Sequence, residues 1–311
     1  MGYFTPHHTA QPGPQPVLPM KRALFLTAAF SLATLTLTLG SCGGTVDGTS
    51  RTSIKNKGSD TLVNVAQAWA EEYSKVAGGA VVTVTGGGSG TGINAMINGT
   101  VDIANASRKM KASEFDMARK SGIEPVEHIV GFDALAVYVH KDNPIESITI
   151  EQLADIYGDD GEATKWSDLG VDMGDNDEIV RVSRQNNSGT YVYFRNTVLG
   201  KQGKYKLGSL DLHGSKDVVE LVEKTPGAIG YSGLAYANEH VKLVPVSMGG
   251  KDPVTPSVET AVDGTYAIAR PLMMYTNGEP TGAVKEYMDW ILSPTGQGII
   301  RKKGYAPVSM D

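Results

Sequence analysis

From Lys55 onward the sequence predicts an α/β protein with mostly parallel sheets. Short β-branched runs alternate with stretches whose apolar residues recur every three to four positions, and turns rich in Gly and Ser stand where run gives way to helix. A length of 311 residues suits about two domains of ordinary size. With 41% hydrophobic and 20% charged residues, the composition is that of a globular protein and not of a disordered one. The net charge of −6, with no basic run and no aromatic–basic interleaving, argues against non-specific binding to nucleic acid.

The elements follow in order. Leu62, Val65, Ala66, Trp69, Tyr73 and Val76 keep helical spacing, which predicts a helix over 61–76. Residues 80–85 (AVVTVT) read as a β-branched strand, and Ile93, Met96 and Ile97 mark a short helix after the turn GGGSGTGIN (86–94). Residues 101–106 and 134–139 read as buried strands. Thr149 followed by Gln152 is a capping box that opens the helix IEQLADIY. A strand over 180–183 leads into RQNNSGTYVYF (184–194) and a helix over 191–199. Ser215 opens the helix KDVVELVEK, and a strand covers 228–231. Residues 268–275 are strand-like and 283–292 helical, and Ser293-Pro294 starts a last helix with Pro at its first position. No segment repeats at a solenoid period.

The N-terminus is expected to lie outside the fold. Residues 23–39 are an apolar run behind Lys21 and Arg22, the pattern of a secretory signal. At 17 residues, five of them Thr or Ser, the run is short and weak for spanning about 30 Å of hydrocarbon. It ends in Leu39-Gly40-Ser41-Cys42, and Cys42 is the one cysteine in the sequence. This resembles the lipobox of bacterial lipoproteins, which implies lipidation at Cys42 after removal of 1–41. Met20, directly before Lys21, offers an alternative start. Residues 43–53 (GGTVDGTSRTS) read as a flexible tether. The leader through Ser41 holds two basic and no acidic residues, so the remainder has 28 − 2 = 26 basic against 34 acidic groups, a net −8.

The Ser-Gly-Thr triplet occurs twice, at 89–91 and 188–190, each time where a turn runs into a helix. In open α/β sheets ligands sit beyond the carboxyl ends of strands, at helix N-termini. Such a terminus presents unpaired N–H groups and about half a positive charge. Glycines let an anion approach, and Ser or Thr hydroxyls add donors. One such turn suits a small tetrahedral oxyanion, and two suit one anion gripped from both sides. A nucleotide P-loop needs a Lys that GGGSGTGIN lacks, and the third glycine of a dinucleotide fingerprint is missing. Arg108 and Arg184 lie close in sequence to the two turns. Gly58-Ser59-Asp60-Thr61, a third polar turn, leads into the first helix, where an N-cap would need only one such side chain.

GSDTLVNVAQAWAEEY, GGGSGTGINAMINGTVDIANASR, RQNNSGTYVYF and TPGAIGYSGLAYA together resemble the phosphate-binding protein of the bacterial high-affinity phosphate ABC transporter. The likeness runs from about Lys55 to Val308. It implies a type II periplasmic-binding-protein fold, two α/β lobes joined by a two-strand hinge with the ligand in the cleft. The lobes would be 54–138 plus 247–311 and 139–246, after a leader (1–41) and a tether (42–53). The implied phosphate ligands are Ser59, Asp60 and Thr61 from the first turn, Ser89, Gly90, Thr91 and Arg108 from lobe one, and Arg184, Ser188, Gly189 and Thr190 from lobe two. In the family's best-known members the strand after the glycine turn ends in Ala-Ser-Asp, whose aspartate accepts the phosphate proton. Here it ends in Ala106-Ser107-Arg108. Asp60 is the nearby acidic candidate for that role. The resemblance implies inorganic phosphate and a permease as partners, a monomer anchored by its lipid outside the cytoplasm (outer face of the plasma membrane or periplasm), and neither cofactor nor metal.

Two other classes compete. A secreted phosphatase with Ser89 or Ser188 as nucleophile would need an adjacent base, and His128, His140, His213 and His240 stand at no triad or ligand spacing. A binding protein for sulfate, molybdate or a phosphonate would use the same turns.

Overall fold

The computed structural model describes residues 52–76 and 80–308. The expected leader, Cys42 and all but the last two residues of the tether lie outside them. The chain opens with β1 (Ser53–Gly58), α1 (Val63–Tyr73), β2 (Val81–Thr85), α2 (Ser89–Ile97), β3 (Ile103–Ala106) and α3 (Ala112–Lys120). α1 buries Val65, Ala66, Trp69 and Tyr73 on one face, the face its spacing predicted. It starts at Val63 because residues 59–62 form a turn whose backbone bonds run from Leu62 N to Ser59 O and from Val63 N to Asp60 O. α2 starts at Ser89, four residues before its first apolar position, so the glycine turn itself supplies the first helical turn.

β4 (Pro125–His140) is 16 residues long. Only 134–139 was legible as strand, because Glu127, His128 and Asp133 interrupt the apolar run before it. β5 (Ile148–Thr149), α4 (Ile150–Tyr157), β6 (Val180–Arg184), α5 (Gly189–Phe194), β7 (Leu210–Leu212), α6 (Ser215–Lys224), β8 (Ala228–Gly233), β9 (Val241–Val244) and β10 (Val246–Ser247) follow. The capping box of α4 forms: Thr149 Oγ1 accepts from the Gln152 amide at 3.0 Å, and Gln152 Oε1 accepts from the Thr149 amide at 2.9 Å. The helix expected over 191–199 is α-helical only to Phe194 and widens to a π turn over Arg195–Leu199. α7 (Val258–Val262), β11 (Ala269–Asn277), α8 (Gly282–Leu292) and α9 (Pro294–Lys302) close the chain. α8 and α9 share the apolar cluster of α1, and Trp69 Nε1 donates to Gly296 O at 2.8 Å.

The main sheet has nine strands in the order β2-β1-β3-β11-β4-β8-β6-β7, with β9 also on β4. Its two wings are parallel, β1 between β2 and β3 and β6 between β7 and β8. Its centre is antiparallel, which corrects the expectation of a mostly parallel sheet there: β11 pairs with β3 and β4, and β4 with β8 and β9. β4 runs through both halves, pairing with β11 up to Ala134 and with β8 from Leu135. The carboxyl ends of β1, β2 and β6 carry the three predicted turns.

Candidate anion-binding site

Three serines meet where β1, β3 and α2 end or begin. Ser59 follows β1, Ser107 follows β3 and Ser89 opens α2, and all three are buried. Ser59 Oγ donates to Ser107 Oγ at 2.8 Å, Ser89 Oγ lies 3.3 Å from Ser107 Oγ, and the Ser107 amide donates to Ser89 Oγ at 3.0 Å.

The two Ser-Gly-Thr turns, about a hundred residues apart in sequence, face each other. The Gly90 amide donates to Asn187 O at 3.0 Å, and Asn187 Nδ2 returns a bond to Gly87 O at 3.0 Å. Glycine is what permits this approach. A Cβ on Gly189 would lie 2.2 Å from Ser89 Oγ and 2.5 Å from Ser107 Oγ. A Cβ on Gly88 would lie 2.7 Å from Asn187 O, at a φ of +89° that side chains rarely adopt. Ser188 caps α5, its Oγ accepting from the Thr190 and Tyr191 amides at 3.1 and 3.4 Å, which leaves its O–H free to donate elsewhere. Thr61 Oγ1 and Thr190 Oγ1, one from each wing, are 3.1 Å apart.

Three arginines lie close to these hydroxyls, and Arg270 bonds to two of them. Arg184, at the end of β6, is fully buried and donates to Ser215 Oγ at 3.0 Å, His213 O at 2.7 Å and Asp60 Oδ2 at 3.1 Å. Burial pulls its pKa below the ordinary arginine value, and the Asp60 carboxylate opposes that. Asp60 Oδ1 accepts from the Gly87 amide at 2.7 Å. Asp60 does not cap α1, whose N-cap is Leu62 and has no side-chain capping bond. Arg270, in β11, donates from Nη2 to Thr61 Oγ1 and Thr190 Oγ1, each at 3.1 Å, and pairs with Asp133 Oδ2 at 2.8 Å. Burial pushes the Asp133 carboxyl up, and Arg270 offsets only part of that. Arg108 is taken up by Glu114, which accepts from Nη1 at 2.8 Å and from Nη2 at 2.7 Å. Burial raises the Glu114 pKa, but bonds from Arg108 and from the Lys111 amide outweigh it and the net shift is downward.

The structure thus brings Ser59, Asp60, Thr61, Ser89, Gly90, Arg184, Ser188, Gly189 and Thr190 to one place. Thr91 sits to one side, its Oγ1 3.3 Å from Asn187 Nδ2. Arg108 is held on Glu114, with its Nη2 3.7 Å from where a Cβ on Gly90 would lie. Ser107, Arg270 and Asp133 were missed. A charge inside an apolar strand was the available signal for the last two, in PLMMY after Arg270 and ALAVYV after Asp133. A cluster of buried O–H donors, two of them bonded to Arg270 and with Arg184 held on neighbouring Asp60, can grip a tetrahedral oxyanion, because each hydroxyl now bonded to another hydroxyl can turn its proton to an anion oxygen.

A family model described as a PBP superfamily domain matches residues 43–295. The phosphate-binding protein PstS of Pseudomonas aeruginosa is 34% identical over 270 residues, covering 82% of this chain and 83% of that one. The SphX protein of Synechococcus elongatus is 35% identical over 269 residues, covering 83% and 78%. Among solved structures, a candidate phosphate ABC transporter substrate-binding protein from Clostridium perfringens, with phosphate bound, superposes with a TM-score of 0.74 at 30% identity, covering 83% of this chain and all of that one. The fold is therefore the type II periplasmic-binding-protein fold. The chain belongs to the PBP superfamily and, within it, to the family of PstS phosphate-binding proteins of bacterial phosphate ABC transporters.

Proposed function

We propose that this protein captures inorganic phosphate outside the cytoplasm and delivers it to the permease of an ABC transporter. The observation that carries the reading is the meeting of the two Ser-Gly-Thr turns, with Arg270 bonded to Thr61 and Thr190 and Arg184 to Asp60 beside them. Phosphate would accept from Ser59, Thr61, Ser89, Ser107, Ser188 and Thr190 and from the Gly189 amide, with Arg184 and Arg270 supplying charge and the Gly90 amide holding the two turns together through Asn187. Asp60 would accept the phosphate proton that no side chain at position 108 can accept. The donors come from two lobes, 54–138 plus 247–311 and 139–246, so phosphate closes the cleft between them by a hinge motion. The protein acts as a monomer and binds its ligand without turning it over. Cys42 carries a lipid that holds it at the outer membrane face, and Cys42→Ser should release it from the membrane fraction with phosphate binding intact.

Calorimetric titration with phosphate, arsenate and sulfate tests the reading. Phosphate and arsenate should bind, with sulfate weaker by at least about 10³-fold, because a site that demands a donor rejects the analogue lacking one. Equal binding of sulfate would point to a general oxyanion binder, and turnover of p-nitrophenyl phosphate to an enzyme.

A further inference from the structure

A cavity of about 650 Å³ opens beside the hydroxyl cluster and shares two of its residues, Ser107 and Arg270. One tetrahedral oxyanion cannot fill it, since a water molecule takes only about 30 Å³. Its lining includes Arg108, Lys109, Lys111, Arg195, Lys201 and Arg270 and no acidic residue. Two of these six cations are already paired, Arg108 with Glu114 and Arg270 with Asp133. Lys109, Lys111, Arg195 and Lys201 have no carboxylate within 4.0 Å among the described residues. The hydrogen bonds of the Arg195 guanidinium go to the neutral Asn196 side chain. Lys109, Lys111 and Lys201 are exposed.

Four cations without an ion-pair partner within 4.0 Å among the described residues, of which Lys111 feels Glu114 only at longer range, are out of keeping with a chain of net charge −6. The overall field repels a phosphate anion, so attraction must come from a local feature within about 10 Å, the screening length near 0.1 M salt. We infer that this cavity is the cationic vestibule through which phosphate is gathered and passed to the buried site, with Lys109, Lys111, Arg195 and Lys201 setting the rate of capture. The inference rests on the phosphate reading above. Ser107 and Arg270 provide the handover. Ser107 Oγ is 2.8 Å from Ser59 Oγ, and Arg270 Nη2 is 3.1 Å from both Thr61 Oγ1 and Thr190 Oγ1. An anion drawn by the lysines meets these two residues first and the remaining hydroxyls next.

Steering of this kind raises association rates about 10- to 10³-fold and falls steeply with ionic strength. The test is the triple variant Lys109→Gln/Lys111→Gln/Lys201→Gln, confined to exposed side chains, in rapid-mix filtration with radiolabelled phosphate. The association rate constant should fall about tenfold at low ionic strength, near 20 mM, with the dissociation rate constant unchanged within about twofold. Variant and wild type should converge near 0.5 M salt, where charges are screened beyond about 3–5 Å. An unchanged association rate at low salt overturns the vestibule. So does a faster dissociation with unchanged association, which would make the lysines direct ligands. Wild-type protein that binds no phosphate would bring down the functional reading and this inference together, whereas normal wild-type binding with an unaffected variant removes this inference alone.

Discussion

Asp60 Oδ2 lies 3.1 Å from Arg184 Nη2, an ion pair between the turn after β1 and the end of β6 whose side chains are 12% and 1% exposed. The same carboxylate holds the Gly87 amide at 2.7 Å, so one residue ties the first polar turn to the glycine turn and to the opposite wing. With the Gly90–Asn187 and Thr61–Thr190 contacts, it defines a cleft in which every predicted turn touches another.

Gly189 is where this closure is sterically limited. Gly189→Ala places a methyl 2.2 Å from Ser89 Oγ, so the turns must separate. Overpacking of this kind costs about 1–3 kcal/mol, which should appear as a roughly ten- to hundredfold loss of phosphate affinity by calorimetry. Gly298→Ala, in α9 with open space around it, should leave affinity alone and serves as the control.

Arg270 and Asp133 form a fully buried pair, both side chains 0% exposed. Arg270→Met strands the carboxylate and should cost about 3–5 kcal/mol in denaturant unfolding. Asp133→Leu/Arg270→Met should recover most of that stability, since a buried pair replaced by apolar groups is often neutral. Phosphate affinity should not recover, because the Nη2 contacts to Thr61 and Thr190 are still gone. Restored binding in the double variant would remove Arg270 from the site.

The Arg108–Glu114 pair should show in the pH dependence of stability. Burial raises the Glu114 pKa, but Arg108 and the Lys111 amide bring it below 4.5. A carboxyl with a lowered folded-state pKa adds stability that is present above its unfolded value and lost as pH falls through the folded one. Glu114→Gln should therefore melt at a lower temperature than wild type at pH about 7, with the gap shrinking steadily below pH about 4.5. A gap that persists unchanged at pH about 2.5 would mean that the pair contributes no charge-dependent stability.

Much of this arrangement was legible in the chain. Helical spacing from Leu62 to Tyr73, the Thr149/Gln152 box and Ser293-Pro294 are local signals, and the structure carries each out locally. The two Ser-Gly-Thr triplets could be read as anion grips because glycine, hydroxyl and helix start lie within three residues. Arg270 escaped notice because its role depends on β11 lying between β3 and β4, a non-local pairing that no spacing encodes. The first half of β4 was hidden for the opposite reason: Glu127, His128 and Asp133 break its apolar pattern, yet nine backbone pairs with β11 hold it. Arg108 looked like a ligand by position, and only the fold brings Glu114 of α3 against it.

Asp60 is the residue on which selectivity should turn. Phosphate near neutral pH keeps at least one proton, whereas sulfate has none. Both Asp60 oxygens already accept one bond, from Gly87 and from Arg184, and each carboxylate oxygen has a second lone pair that could take a phosphate O–H. Facing sulfate, that lone pair would meet only lone pairs and a second negative charge. An unpaired buried acceptor costs about 1–3 kcal/mol, and more when charged. A capping role does not compete, since α1 has no side-chain cap. The competing role is a brace between the wings. Asp60→Asn separates the two. The amide can keep the Gly87 bond through its oxygen, and its NH₂ can donate to an unprotonated oxyanion. If Asp60 is the proton acceptor, the phosphate-to-sulfate affinity ratio should fall by about 100-fold or more, with sulfate binding becoming measurable by calorimetry. If Asp60 is only a brace, both affinities drop in proportion and the ratio stays where it was, which would place the discrimination on other residues.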